Sequence, residues 1–303
     1  MRDFMNFHQH SSDKQGHSCP SHAHSPFKWA IAINFGYVVI QTIFALHAHS
    51  NSLFADAAHN LGDVLGLFFA FISTLLHEKS STNAYSYGFK KTTILAALSN
   101  ALILIFTCGL IGYDSILKLI HPGEIAELDV ILVASAGILI NGGSALFFMK
   151  GQHDLTIRSA FLHLAYDSLI SLGVLLGAVL IYFTHWYWLD PLLGIGIMAM
   201  ILTGTLSLLK STFRLVMDGV PPGLDVGNIK KVLSEKPYVI GVHDLHVWAL
   251  STKENILTAH IQVRPEALSM KSTQELSLLI EENFNIHHVT LQLEEANCEK
   301  GCQ

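Results

Sequence analysis

The apolar and polar positions divide the chain in two. Up to about residue 211 it is a series of long apolar runs, at 27–46, 52–76, 92–120, 128–149, 157–184 and 188–209, separated by short polar connectors. A hydrocarbon core about 30 Å thick is crossed by roughly 20 helical residues, so the pattern predicts six transmembrane helices. Punctuation agrees. Pro122 follows the third run and cannot continue its amide ladder. Trp186, Tyr187 and Trp188 open the sixth as an interfacial aromatic belt. Asn141, Gly142, Gly143 and Ser144 supply the fourth with small residues that let helices approach closely in lipid.

From about residue 212 the pattern is that of a soluble domain. Helices are expected at 226–234 and 272–283, the second marked by Leu276, Leu279 and Ile280. Strands are expected at 239–250, 255–263 and 287–293, rich in β-branched residues between turn signals. Two helices on a three-stranded sheet make an α+β domain of ferredoxin-like type. The fold class is therefore an α-helical polytopic membrane protein with a C-terminal α+β cytosolic domain. Its parts are a polar tail at 1–26, a six-helix domain at 27–211 and the soluble domain at 212–303.

Composition sharpens this picture. Of 303 residues 50% are hydrophobic and only 14% charged, against about 25% charged in soluble domains. No large basic patch exists, so nucleic acid is not an expected partner. Lys28, Lys79, Lys90, Lys91, Lys150, Arg158, Lys210 and Arg214 all flank one side of the expected spans, and Lys118 is nearly alone on the other. By the positive-inside rule both termini are cytoplasmic, which an even number of spans satisfies. Cys19, Cys108, Cys298 and Cys302 form no disulfide framework and suit reduced thiols on a cytosolic side. The tail holds His8, His10, His17, His22 and His24 and lacks the apolar core of a cleaved secretory signal. Its composition fits either a solvated tail or weak metal capture.

The candidate chemistry lies in the second run, which carries Asp56, His59 and Asp63 at membrane depth. A charge near the bilayer centre costs at least about 3 kcal/mol, so such residues face a protein interior or a wet cavity. His59 and Asp63 are four apart and share a helix face, with Asp56 one turn earlier on nearly the same stripe. One such pair is half of a tetrahedral divalent-metal site, or a hydrogen-bonded packing pair. In the fifth run His163 and Asp167 repeat the spacing. Two matching faces supply two nitrogens and two carboxylates, a rigid four-coordinate shell that favours zinc over the more oxygen-seeking manganese or magnesium.

At these residues the chain resembles the cation diffusion facilitator family. The segments that carry the resemblance are LFADAAHNLGDVLGL, YSYGFKK, RSAFLHLAYDSLISLGV, WLDPLLGI and GVHDLHVW, and it extends over nearly the whole sequence. The family implies a homodimeric exporter with six transmembrane helices and a ferredoxin-like cytosolic domain, exchanging cytoplasmic Zn2+ for external H+. His59 at the first ligand position resembles the zinc-preferring branch. His243 and His260 match family metal ligands of the cytosolic domain, and His287 and Glu294 resemble the set of animal zinc transporters. By the same resemblance Cys298 and Cys302 would add thiolates, and Cys19 would reach a neighbouring subunit's site. His246 and His288 read as ordinary surface or strand residues. The loop NAYSYGF lacks the second metal site of some bacterial members. Lys91 and Asp218 fall where some members tie the membrane part to the cytosolic domain, or are two unrelated exposed charges. Thr93 replaces a common acidic residue, with no consequence legible in the sequence.

No Walker-type phosphate loop is present, so ATP is not the expected energy source. Histidine binds zinc only when neutral, so metal and protons compete at His59 and His163, and proton-coupled antiport follows. An intramembrane metalloenzyme would be expected to carry a general base beside the metal, as in His-Glu-x-x-His, and that pattern is absent. A channel or receptor with a structural metal would bind zinc without proton-coupled flux. The short loops suggest a bacterial inner membrane as host.

Overall fold

The computed structural model describes residues 24–77, 79, 81–149 and 155–295. The histidine-rich tail up to residue 23 with Cys19, and Cys298 and Cys302, lie outside the described residues.

Six long helices come first: α1 (His24–His47), α2 (Asn51–His77), α3 (Thr92–Ile120), α4 (Glu127–Phe148), α5 (Leu155–Thr184) and α6 (Leu189–Val216). Among the described residues α3, α4, α5 and α6 contain stretches long and apolar enough to cross a membrane. Their outward faces carry large apolar side chains such as Phe106, Leu139 and Phe183, as a lipid-facing surface requires. The inward faces are lined with small residues. Ala55, Ala57 and Ala58 on α2 are buried, and so are Ala134 on α4 and Ala178 on α5. Without a hydrophobic drive between helices in lipid, close backbone approach and dispersion contacts hold the bundle. The pairs α4 with α5 and α3 with α6 pack most extensively, and α2 touches α1, α3, α5 and α6.

The end of the bundle remote from the C-terminal domain is closed by one carboxylate. Asp190, near the start of α6, is buried and accepts from the hydroxyls of Ser50 (2.6 Å) and Ser52 and from the backbone amides of Asn51 and Ser52. The first amides of a helix have no intrahelical partner, so Asp190 acts as an α2 N-terminal cap supplied from another helix. Asn51 extends the junction to α3, donating to Ser115 Oγ (2.8 Å) and accepting from Lys118 Nζ (2.6 Å). Gly194 is required beside it, because a Cβ there would lie 3.0 Å from the carbonyl oxygen of Asn51.

The sixth helix runs to Val216, seven residues beyond the apolar run that announces it. Apolar residues at Phe213 and Leu215 continue the pattern through polar Thr212 and Arg214. The chain turns where Asp218 takes a left-handed conformation (φ 54°). The C-terminal domain follows as α7 (Val226–Ser234), β1 (Val239–Ala249), β2 (Asn255–Val263), α8 (Met270–Phe284) and β3 (His288–Glu294). The sheet order is β1-β2-β3, with β1 antiparallel and β3 parallel to β2. Ile229 and Leu233 of α7 and Leu276 and Ile280 of α8 cover one sheet face through Leu257, Ala259 and Ile261. The other face presents Thr258, His260 and Gln262. Asp225 and Ser269 cap α7 and α8 through their side-chain oxygens, and left-handed Asn285 ends α8.

Because Asp190 satisfies several donors that would otherwise be buried unpaired, Asp190→Ala is expected to lose about 3 kcal/mol of stability. Thermal melting in detergent micelles checks this, with Asp190→Asn expected to fall between the wild type and the alanine variant.

Candidate metal transport site

The α-helical spacing places His59 and Asp63 on one face of α2, and His163 and Asp167 on one face of α5. The two faces meet. Each imidazole reaches a carboxylate of the opposite helix: His59 Nε2 lies 3.0 Å from Asp167 Oδ1, and His163 Nε2 lies 3.4 Å from Asp63 Oδ2. His163 Nε2 is also 3.7 Å from Asp167 Oδ2, and the two rings meet edge to face with centroids 6.3 Å apart. Ligand atoms of His59, Asp63 and Asp167 come within 4.8 Å of one another, the spread a single small cation requires. Asp167 is almost fully buried (4% exposed), and its partners offset what an isolated carboxylate would cost there.

The four side chains line a cavity of about 430 Å3. Asn100 and Leu104 of α3, and Met200, Gly204 and Thr205 of α6, complete the wall. The α3 and α5 residues come from the halves of their helices nearest the C-terminal domain. Gly62 lets Leu104 of α3 lie close to α2, whereas the space beside Gly66 would admit a Cβ. A Cβ at Gly62 would meet Leu104 Cδ2 at 2.7 Å, and one at Gly66 would lie 3.8 Å from Asn100 Nδ2. Asn100 was not among the residues singled out by spacing. Its signal is an amide within an apolar run, and its buried Oδ1 has no hydrogen-bond partner among the described residues.

A second group lies on the sheet. His243 and His260 are direct partners across β1 and β2, and β3 brings Glu294 beside them. His243 Nε2 is 2.7 Å from Glu294 Oε1, His260 Nδ1 is 3.7 Å from Glu294 Oε2, and the two rings are 5.5 Å apart. The ligand atoms of these three residues lie within 4.8 Å of one another. His287 is placed differently: it precedes β3, and its Nδ1 lies 2.7 Å from Glu281 Oε1 on α8. Asp244, unremarked in the sequence, sits at a register break of β1 with φ 49°. One of its oxygens is 2.8 Å from His246 Nε2 and the other 3.7 Å from His260 Nε2. The hydrogen bond from His246 holds the Asp244 carboxyl below the usual carboxylate range.

The two parts of the chain touch through the loop before α3. Lys91 Nζ reaches Asp218 Oδ1 at 2.6 Å, so these charges do meet. Lys90 Nζ is likewise 2.6 Å from Glu254 Oε2 in the turn between β1 and β2. Thr93 finds its consequence here, its hydroxyl oxygen accepting from the amide of Thr252 at 3.0 Å. His288 stacks edge-on to Tyr87 with centroids 5.7 Å apart.

Comparison with known proteins decides the family. The model of the cation efflux transmembrane domain matches residues 28–217, and that of the cation efflux protein cytoplasmic domain matches residues 221–296. The chain belongs to the cation efflux family. It is similar to the metal cation efflux system protein CzcD of Cupriavidus metallidurans, 32% identical over 94% of this chain and 91% of that protein. A cadmium, cobalt and zinc/H(+)-K(+) antiporter of Bacillus subtilis is 32% identical over 86% of this chain and 85% of its own length. The zinc transporter ZitB of Escherichia coli is 29% identical over 89% and 87%. This member of the family is thus an integral membrane protein with a helical membrane domain and a cytosolic domain built on a small sheet.

Gly62→Ala would press on the Leu104 side chain, a clash that offsets the roughly 1 kcal/mol a helix gains on replacing glycine by alanine. Leu104→Ala is expected to cost less in the Gly62→Ala background than in the wild type, because the two substitutions share one contact. A double-mutant cycle of detergent melting curves reads the coupling.

Proposed function

We propose that the protein is a secondary active transporter that exports Zn2+ in exchange for H+, by alternating access around His59, Asp63, His163 and Asp167. The observation that carries this reading is the convergence of two His-x3-Asp faces in one cavity at membrane depth, each imidazole against the other helix's carboxylate. The names of the zinc-transporting and antiporting relatives support it.

The chemistry follows from charge. Two neutral imidazoles and two carboxylates around Zn2+ form a shell of zero net charge, the least costly way to hold a divalent ion inside a bilayer. When the metal leaves, two uncompensated carboxylates would remain at membrane depth. Protons on the imidazoles cancel that charge, and each imidazole already lies beside a carboxylate that would hold it. Metal and protons are therefore alternative occupants of one set of atoms. Falling pH weakens zinc binding, because only the neutral imidazole is a ligand. The zinc site loads from the cytosol and is emptied where the outside pH supplies protons.

The remaining parts fit this cycle. All six long helices span the membrane, with both termini cytoplasmic, as the lysine and arginine positions require. The C-terminal domain is ferredoxin-like and pairs two chains as a homodimer in the plasma membrane of a bacterium. Its trio of His243, His260 and Glu294 is a nitrogen-rich donor set of the kind zinc takes. Zinc bound there would tie all three strands together.

The test is zinc-driven proton movement in reconstituted vesicles, followed with a pH dye. An imposed zinc gradient is expected to move protons in the wild type, and Asp63→Ala and Asp167→Ala are each expected to abolish both movements. Zinc binding without proton movement in the wild type would overturn the exchanger reading. On the sheet, His260→Ala is expected to weaken the second zinc site more than the roughly 10–100-fold typical of losing an outer-shell partner. Calorimetric zinc titration of the Asp63→Ala, Asp167→Ala background isolates that site.

A further inference from the structure

One ionisable group in the membrane domain has no part in the scheme above. Asp56 lies on α2, three residues and about 4.5 Å of helix rise before His59, toward the end closed by Asp190. It is fully buried (0% exposed). Its Oδ2 accepts two hydrogen bonds, from Gln41 Nε2 of α1 at 2.7 Å and from Ser171 Oγ of α5 at 3.0 Å. Among the described residues its Oδ1, which is buried, has no hydrogen-bond partner.

This asymmetry suits a carboxylic acid and not a carboxylate. An ionised group spreads its charge over both oxygens, and a bare charged oxygen in an apolar interior is among the costliest arrangements a protein can hold. A protonated group carries its hydrogen on Oδ1 and keeps Oδ2 as the carbonyl acceptor that the two donors address. Gln41 is held for this task, since its own Oε1 accepts from Asn60 Nδ2 at 2.9 Å. The titratable groups facing Asp56 are Tyr37 from α1, His59 from its own helix and Asp167 from α5. The Tyr37 hydroxyl addresses the Val133 carbonyl of α4. Among these neighbours there is no lysine or arginine to hold a permanent carboxylate.

We propose that Asp56 is a proton-carrying residue of the exchange cycle, taking up a proton beyond those held at the metal site and releasing it when zinc loads. The inference rests on the proton-coupled reading of the transport site. The step is a simple protonation: Asp56 Oδ1 takes H+ when the site is open to the outside and returns it to the cytosol when the inward-facing arrangement gives Oδ1 access to water, which holds the charge that the packed arrangement cannot, with no other bond made or broken. One turn separates it from His59, and Ser171 stands one turn from Asp167 on α5. The acid thus occupies the layer next to the ligands, as proton-carrying carboxyls in pumps and transporters do.

The experiment compares wild type and Asp56→Asn in zinc-loaded vesicles, recording zinc flux with an indicator and proton flux with a pH dye across a range of pH. Asparagine keeps the shape and the acceptor oxygen and cannot bind a proton. Zinc binding is expected to stay close to wild type, while one fewer proton is moved per zinc and the pH dependence of the exchange flattens. An Asp56→Asn protein with the wild-type proton count and pH profile overturns the proposal and makes Asp56 a packing residue only. A wild type that moves zinc without protons instead removes the exchanger reading on which the proposal stands. Should Asp56→Asn not fold, infrared difference spectra of the wild type carry the test. A protonated-carboxyl band lost on zinc addition, and retained before zinc in Asp63→Asn and Asp167→Asn, is expected; its absence overturns the proposal.

Discussion

A carboxylate or imidazole packed inside a bundle of apolar helices needs a partner there, and α2 carries three such groups within eight residues. That demand organises the bundle. Asp63 and His59 can be satisfied only by a second helix bearing the complementary pair, and α5 bears it. Asp56 draws Gln41 from α1 and Ser171 from α5 into a second polar layer. The helix start is held in turn by Asp190 of α6. A helix that carries three ionisable groups thus becomes an element that α1, α3, α5 and α6 pack against.

Each His–Asp pair joins α2 to α5, so the two pairs hold the same two helix faces together. The Asp190 junction ties α2 to α6 and α3 at one end, where small buried residues pack tightly. At the other end the wall is formed by Asn100, Leu104 and residues of α6, and glycines at 62 and 66 stand where α3 crosses α2. Flexible side chains and Cβ-free contacts are easier to displace than a buried carboxylate network.

The C-terminal domain meets the membrane domain at the start of α3. Lys90, Lys91 and Thr93 at its start contact the linker and the β1–β2 turn. Both ion pairs are partly exposed, and exposed pairs contribute less than about 1 kcal/mol each. They set where the domain sits more than how strongly it is held. The turn they touch joins the strands that carry His243 and His260.

Much of this was legible from residue order, since hydrophobic length and helical period are local properties. Six long helices, the order of the soluble elements, and the His-x3-Asp faces all follow from spacing, while for Lys91 and Asp218 residue order left an interdomain tie and two unrelated charges both open. What residue order could not decide is which faces meet. Only packing made each histidine pair with the opposite helix's aspartate, gave Asp56 one satisfied oxygen and one bare one, and turned Asn100 toward the cavity. Strand register placed Glu294 beside His243 and His260, while His287, one residue short of β3, went to Glu281. The register break that brought Asp244 against His246 and His260 likewise depends on pairing between strands. Burial and partner choice are properties of distant segments brought together, and a linear pattern records only the faces each segment offers.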